Sequence, residues 1–228
     1  MVTRAKLLYD VAKHIPGVIV NYDYIAMDEI QTIILKNESE IAGGLKSFLE
    51  SGTFSIANIR QSSNAGFIIL GNIPLDEDNQ PKVRSYFEPL PDIFQESAFL
   101  DRFHGFIKGW EMPRINQSMI MNGNTLNVEY FSEILHLLRD DMTFSPIVDS
   151  ILKVPSHADT RDVNAIKRLT TAYLKLLFPH VESIDDIDLK EFKMFCFDEA
   201  YKKRAVMRKE IHQIDREFKE KLPNIELY

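Results

Sequence analysis

Residues 24–29 read YIAMDE, four mostly apolar residues that end in two adjacent acids. They close a longer run, GVIVNYDYIAM (17–27), rich in β-branched and aromatic side chains and poor in charge. That composition predicts a strand covered on both faces in a parallel sheet. Two readings of Asp28 and Glu29 follow. They are an ordinary strand terminus, or they are carboxylates with work to do beside a nucleotide phosphate, Asp28 holding a hydrated Mg²⁺ and Glu29 orienting or deprotonating an attacking water. The stretch by itself leaves both open.

The chain around it has 228 residues, 45% of them hydrophobic, enough for one sizeable core or a core with a smaller satellite. Acids outnumber bases 34 to 27, a net charge of −7, so the chain as a whole binds polyanions poorly unless its cations cluster on one surface. The single cysteine, Cys196, excludes an intramolecular disulfide and a cysteine-based zinc site, and it lies among Met194, Phe195 and Phe197 as a buried structural cysteine does. The six histidines, at 14, 104, 136, 157, 180 and 212, show no paired ligand spacing. MVTRAKLLYDVAKHIPG (1–17) is broken by charge and lacks the apolar stretch of a signal peptide. No run of about 18 apolar residues is present to span a membrane. These features predict a cytoplasmic protein.

After the first strand, EIQTIILKNESEIAGGLKSFLESG (29–52) has apolar residues at helical spacing, with breaks expected near Asn37–Ser39 and at Gly43-Gly44. TFSIANIRQSSNAGFIILGN (53–72) reads as a hairpin of two β-rich runs turning at RQSSN, its second arm GFIIL continuing into the central sheet. Four prolines between 73 and 92 make that stretch an irregular connection, and FQESAFLDRFHGF (94–106) a short helix ending in a loop. Amphipathic helices are predicted over 127–142 and 159–179, the second capped by Asp159 or Thr160 and stopped by Pro179. The tail from 189 is helical by period, and YKKRAVMRKEIHQIDREFKEK (201–221) alternates its charges as a solvated helix face does.

Further candidates follow in order along the chain. Asn72 ends the apolar run FIILGN, where an amide at the carboxyl end of a parallel strand positions a water against a phosphate, or where it begins a turn before Pro74. Arg102, after the short helix, either pairs with a surface acid or reaches a neighbouring subunit to stabilise a transferring phosphoryl group, an effect worth about 10³ to 10⁵ in rate. Arg161 opens the second amphipathic helix. In NIRQSSN (58–64) Arg60 is the one cation, suited to a phosphate backbone or to an ordinary surface loop.

The ordered series resembles the AAA+ ATPases: Walker B in YIAMDE, sensor 1 at Asn72, an arginine finger at Arg102 in FLDRF, and sensor 2 at Arg161 in a helical lid. FLESGTFSIANIRQSSNAGFIILGN and TRDVNAIKRLTTA, with Arg161 and Arg168 seven residues apart, are similar to the minichromosome maintenance helicases. VTRAKLLYD, VNYDYIAMDEIQ and DRFHGFIKGWEMPR resemble the Lon-like ATPases of bacterial BREX phage-resistance systems, over nearly all of residues 2–180. The resemblance implies an α/β fold, with the second half of an AAA+ core at 1–145 and a helical lid with C-terminal helices at 146–228. It implies ATP and Mg²⁺ as cofactors, Asp28 as the metal ligand, and Arg161 at the γ-phosphate. It also implies a homo-oligomeric ring, hexameric in the longer protein, with DNA in its channel contacted by Arg60. Two departures stand beside it. No G-x-x-x-x-G-K-S/T occurs in the sequence, and no serine-lysine catalytic segment is found, so the chain is expected to be an internal piece that does not turn over ATP alone. A non-catalytic scaffold that joins ATPase rings is the alternative.

Overall fold

A computed structural model describes all 228 residues. By packing the chain divides into two units, Met1–Phe103 with Glu210–Phe218, and His104–Lys209 with Lys219–Tyr228. The fold is mixed α/β.

In the first unit, the run at 17–27 splits. Gly17 donates its N–H to Leu8 O at 2.8 Å, the chain turns through a short helix Val18–Asn21, and the strand proper is only Tyr24–Met27. It pairs in parallel with Gly66–Ile69, in the register Tyr24↔Gly66 to Met27↔Ile69. Period-2 alternation sends Ile25, Met27, Phe67 and Ile69 to the core. The other side of the pair is open, with Tyr24 67% and Ile68 46% exposed. The expected covering of both faces is therefore wrong: one face packs, and Phe48 of the following helix meets Phe67 edge-on at 6.5 Å between centroids.

That helix, Glu38–Ser51, starts after Asn37 in the left-handed conformation and ends at Gly52 (φ 70), whose N–H donates to Phe48 O at 2.7 Å. Gly43-Gly44 does not break it. A Cβ on Gly44 would lie 2.5 Å from Leu8 Cδ1, so this glycine admits a close approach of the buried Leu8 rather than a bend. Beyond the helix, Thr53–Ile56 and Ile59–Ser62 form an antiparallel hairpin closed by Ala57 and Asn58, both at positive φ (47° and 67°). This is the left-handed pair of a two-residue turn. The expected turn at RQSSN is thus displaced: IRQS is the second arm, and GFII is a separate strand that joins Tyr24–Met27.

The second unit is mainly helical, with helices Val128–Arg139, Phe144–Ile151, Thr160–Leu177 and the start of Asp198–Ile214. Asp159 caps the third by accepting from the N–H groups of Arg161 and Asp162. Its core gathers Phe144, Val148, Ile166, Leu174 and Phe192 around Cys196, whose thiol burial pushes up to about 12. Along Val128–Arg139, Phe131, Ile134 and Leu138 are half-buried, whereas Val128 is 77% exposed. No helix is long and apolar enough to cross a membrane.

The reading of 201–221 as a solvated face is overturned. Arg204, Arg208 and Glu210 are buried. Asp162, itself buried, accepts at Oδ1 from Arg204 Nε at 2.8 Å and from Arg208 Nε at 3.1 Å, and its Oδ2 pairs with Arg208 Nη2. In the first unit Glu210 Oε2 accepts the N–H of Tyr86 at 2.8 Å. Charge alternation hid Arg204 and Arg208 because their carboxylate partner, Asp162, lies far away in sequence.

Candidate functional site

The parallel pair determines where the first three candidates lie. Asp28 and Glu29 follow Met27 directly, and Gly71-Asn72 follows Leu70. Ladder bonds carry the two strands forward together: Leu70 donates to Met27 O at 2.9 Å and Ile30 donates to Leu70 O at 3.1 Å. Asp28, Glu29 and Asn72 therefore emerge at the same carboxyl edge, where ligands of parallel sheets collect. All three are exposed.

The local backbone is shaped for display. Glu29 sits in the left-handed region (φ 51, ψ 42), a conformation that costs a non-glycine residue about 1–3 kcal/mol and that accumulates at functional sites. It is held there from both sides. Asp28 Oδ1 accepts the Glu29 N–H at 2.9 Å, and Glu29 O accepts the Thr32 N–H at 2.8 Å and the Thr32 hydroxyl at 2.9 Å.

Gln31 is the residue that sequence reasoning passed over. Its Nε2 donates to Glu29 Oε2 at 3.3 Å while its Oε1 accepts the N–H of Asn72 at 3.3 Å. The only hint in the sequence is its place at the end of YIAMDEIQ, in the middle of the short 3₁₀ turn Ile30–Thr32.

The cations fall elsewhere. Arg60 lies on the second arm of the hairpin opposite Ser55, exposed, and not at a loop tip. Arg102 follows the short helix Ser97–Leu100; its Nε pairs with Glu50 Oε2 at 2.8 Å and its Nη1 donates to Ala98 O. Arg60 and Arg102 line one open groove of about 870 Å³ along the helix Glu38–Ser51 and the hairpin, where Ser47, Ser51 and Ser55 add hydroxyls. Arg161 belongs to the second unit, in the first turn of Thr160–Leu177, its N–H donating to Asp159 Oδ1 at 2.9 Å. Nearby in that unit Arg168 Nη1 meets His104 Nε2 at 3.1 Å. Burial, then the charges of Arg168 and Arg204, lower the His104 pKa to about 4. This imidazole is neutral at pH 7 and accepts from Arg168.

No group of three or more histidine, cysteine, aspartate or glutamate side chains is placed to hold a metal ion by itself. Mg²⁺ keeps most of its waters and takes as few as one carboxylate together with substrate phosphates, and the exposed Asp28 carboxylate is a donor of that type. The phosphate side does not fit in the same way, since no residue of the chain forms the glycine-rich cradle with its lysine.

The sequence also matches known proteins. The family model for the ATPase domain of Lon-like protease BrxL-like proteins matches residues 1–224. The Lon-like protease BrxL of Escherichia coli O9:H4 (strain HS) is 28% identical over 212 residues, which cover 93% of this chain and 30% of that protein. The Lon-like protease BrxL of Bacillus cereus (strain H3081.97) is 29% identical over 190 residues, 83% of this chain and 28% of that protein. The chain thus spans less than a third of the length of these curated relatives. With the matched model reaching from the first residue to Asn224, the chain belongs to the BrxL-like family of Lon-like protease ATPase domains.

Proposed function

We propose that this chain is part of an ATP-hydrolysing AAA+ ring motor that acts on DNA in bacterial phage defence. In this reading residues 1–145 are the second half of the AAA+ core and 146–228 its helical lid. The observation that carries it is the parallel pair Tyr24–Met27 and Gly66–Ile69, which delivers Asp28, Glu29 and Asn72 to one edge. Asp28 would hold Mg²⁺, which when bound draws negative charge off the phosphates. Glu29 takes the proton of the attacking water, and the Asn72 amide orients that water. Arg161, on the lid, pairs with the γ-phosphate.

Arg102 acts on the nucleotide of the neighbouring subunit, which requires it to leave Glu50, its partner here at 2.8 Å. The Glu50 carboxylate is 43% exposed and can turn to water, while Arg102 must also give up its bond to Ala98 O. Arg60 contacts the DNA backbone. One such contact per subunit, repeated around a ring, gives the salt-dependent affinity that an acidic average would otherwise deny.

The test supplies what these residues lack. A polypeptide in which a P-loop segment precedes residue 1 should hydrolyse ATP, and Asp28→Asn and Asn72→Ala should each lower turnover by about 10² or more. Turnover unchanged in both variants would refute the assignment. A second reading, a non-catalytic scaffold joining ATPase rings, draws on the missing P-loop sequence. It predicts no hydrolysis even when the P-loop is supplied.

A further inference from the structure

Glu29 and Asn72 stand on different strands, and the ladder fixes their backbones but not their functional atoms. Only one side chain touches both. Gln31 spans from the Glu29 carboxylate to the Asn72 N–H, at 3.3 Å on each side. The chemistry fixes the amide's orientation. A carboxylate requires a donor and a backbone N–H requires an acceptor, so only Nε2 toward Glu29 with Oε1 toward Asn72 satisfies both.

Gln31 is half-buried. A Cβ added to Gly71 would lie 3.0 Å from Ile30 Cγ2, tight against that side chain, and 3.4 Å from Gln31 Oε1, an ordinary contact. Glu29 needs such a tether, because its left-handed backbone points the side chain out to solvent, where an unheld glutamate samples several rotamers. At 3.3 Å both bonds are slightly longer than the usual N–H···O range, as catalytic hydrogen bonds in unliganded sites often are before substrate tightens them.

We infer that Gln31 is a positioning residue that tethers the water-activating carboxylate of Glu29 to the backbone of Asn72, so that the base is held in place relative to the segment that carries the water-orienting amide. The inference rests on the ATPase reading for its catalytic consequence, while the tether itself is a property of this chain. Gln31 directs its hydrogen bonds to Glu29 and to Asn72. It acts through Glu29 and Asn72, and its loss should lower kcat without weakening nucleotide binding, since misplacement by about 1 Å costs on the order of 10²-fold.

Gln31→Met removes both hydrogen bonds while keeping the length of the side chain. In this chain, amide hydrogen exchange followed by NMR should show Asn72 protected in the parent and unprotected in the variant, with Leu70, which donates to Met27 O, protected in both. In the polypeptide supplied with a P-loop, the variant should lose about 10²-fold in kcat at unchanged KM. An unprotected Asn72 amide in the parent, or full kcat in Gln31→Met alongside a loss in Asp28→Asn, overturns the tether and leaves the ATPase reading standing. Full turnover in both Asp28→Asn and Asn72→Ala overturns the ATPase reading of this edge and the catalytic role of Gln31 with it.

Discussion

Asp162 is the residue whose loss the second unit should tolerate least. It is 2% exposed and accepts hydrogen bonds from Arg204 and Arg208, which are 0% and 2% exposed. Asp162→Asn keeps the shape and one acceptor oxygen but removes the charge from between two buried guanidiniums. Breaking a buried pair by removing one partner costs about 3–5 kcal/mol, because the remaining charge stays desolvated. A control sits three residues away. Asp159 Oδ1 lies 3.7 Å from Arg208 Nη2, but its side chain is 53% exposed and its main work is the helix cap, so Asp159→Ala should cost only about 1 kcal/mol. The chain's one tryptophan, Trp110, belongs to the second unit and packs against Phe106 at 6.0 Å between centroids. Urea unfolding followed by its fluorescence reports on that unit. A loss for Asp162→Asn no larger than that for Asp159→Ala would refute the argument that Asp162 holds the buried arginines.

His104 gives the same unit a pH dependence. Its folded pKa, lowered to about 4, lies below the unfolded value of 6.5, so between those limits the unfolded chain binds the extra proton and stability falls as pH falls. The loss amounts to about 3 kcal/mol at most, and His104→Gln, which keeps an acceptor for Arg168, should flatten the decline between pH 6.5 and 4 in unfolding curves. Ala57 occupies a left-handed position (φ 47), so Ala57→Gly should raise first-unit stability by about 0.5–1 kcal/mol in denaturant titration, and a loss would count against the turn. If Arg102 serves the neighbour, P-loop-supplied Glu29→Gln and Arg102→Ala subunits, each inactive alone, should recover partial ATP turnover on mixing. No recovery in mixed assemblies of proven stoichiometry would place both residues on one nucleotide.

Asp28, Glu29 and Asn72 were legible because an apolar run ending in polar residues describes a strand and its exit at once. Their juxtaposition follows from parallel pairing, which the apolar character of GFII anticipated. The hairpin turn was not legible, because Ala57-Asn58 lacks the glycine that marks such turns and the serines of RQSS resemble a loop. The alternation of Phe54 and Ile56 with Ile59 was the signal available. Gln31 escaped because an amide two residues beyond a carboxylate pair has no characteristic spacing. Arg204 and Arg208 escaped for a different reason: four apart on one helix face, they look solvated until the helix carrying Asp162 is laid against them.

On the proposed reading, the edge formed by Asp28, Glu29 and Asn72 is one half of a nucleotide-hydrolysing site. ATP binding and ATP hydrolysis measured in parallel, in the P-loop-supplied polypeptide and its Glu29→Gln variant, separate the two roles of such an edge. The variant should bind ATP with Mg²⁺ as the parent does and fail to hydrolyse it. Undiminished hydrolysis in Glu29→Gln would remove Glu29 from the chemistry and the proposed half-site with it.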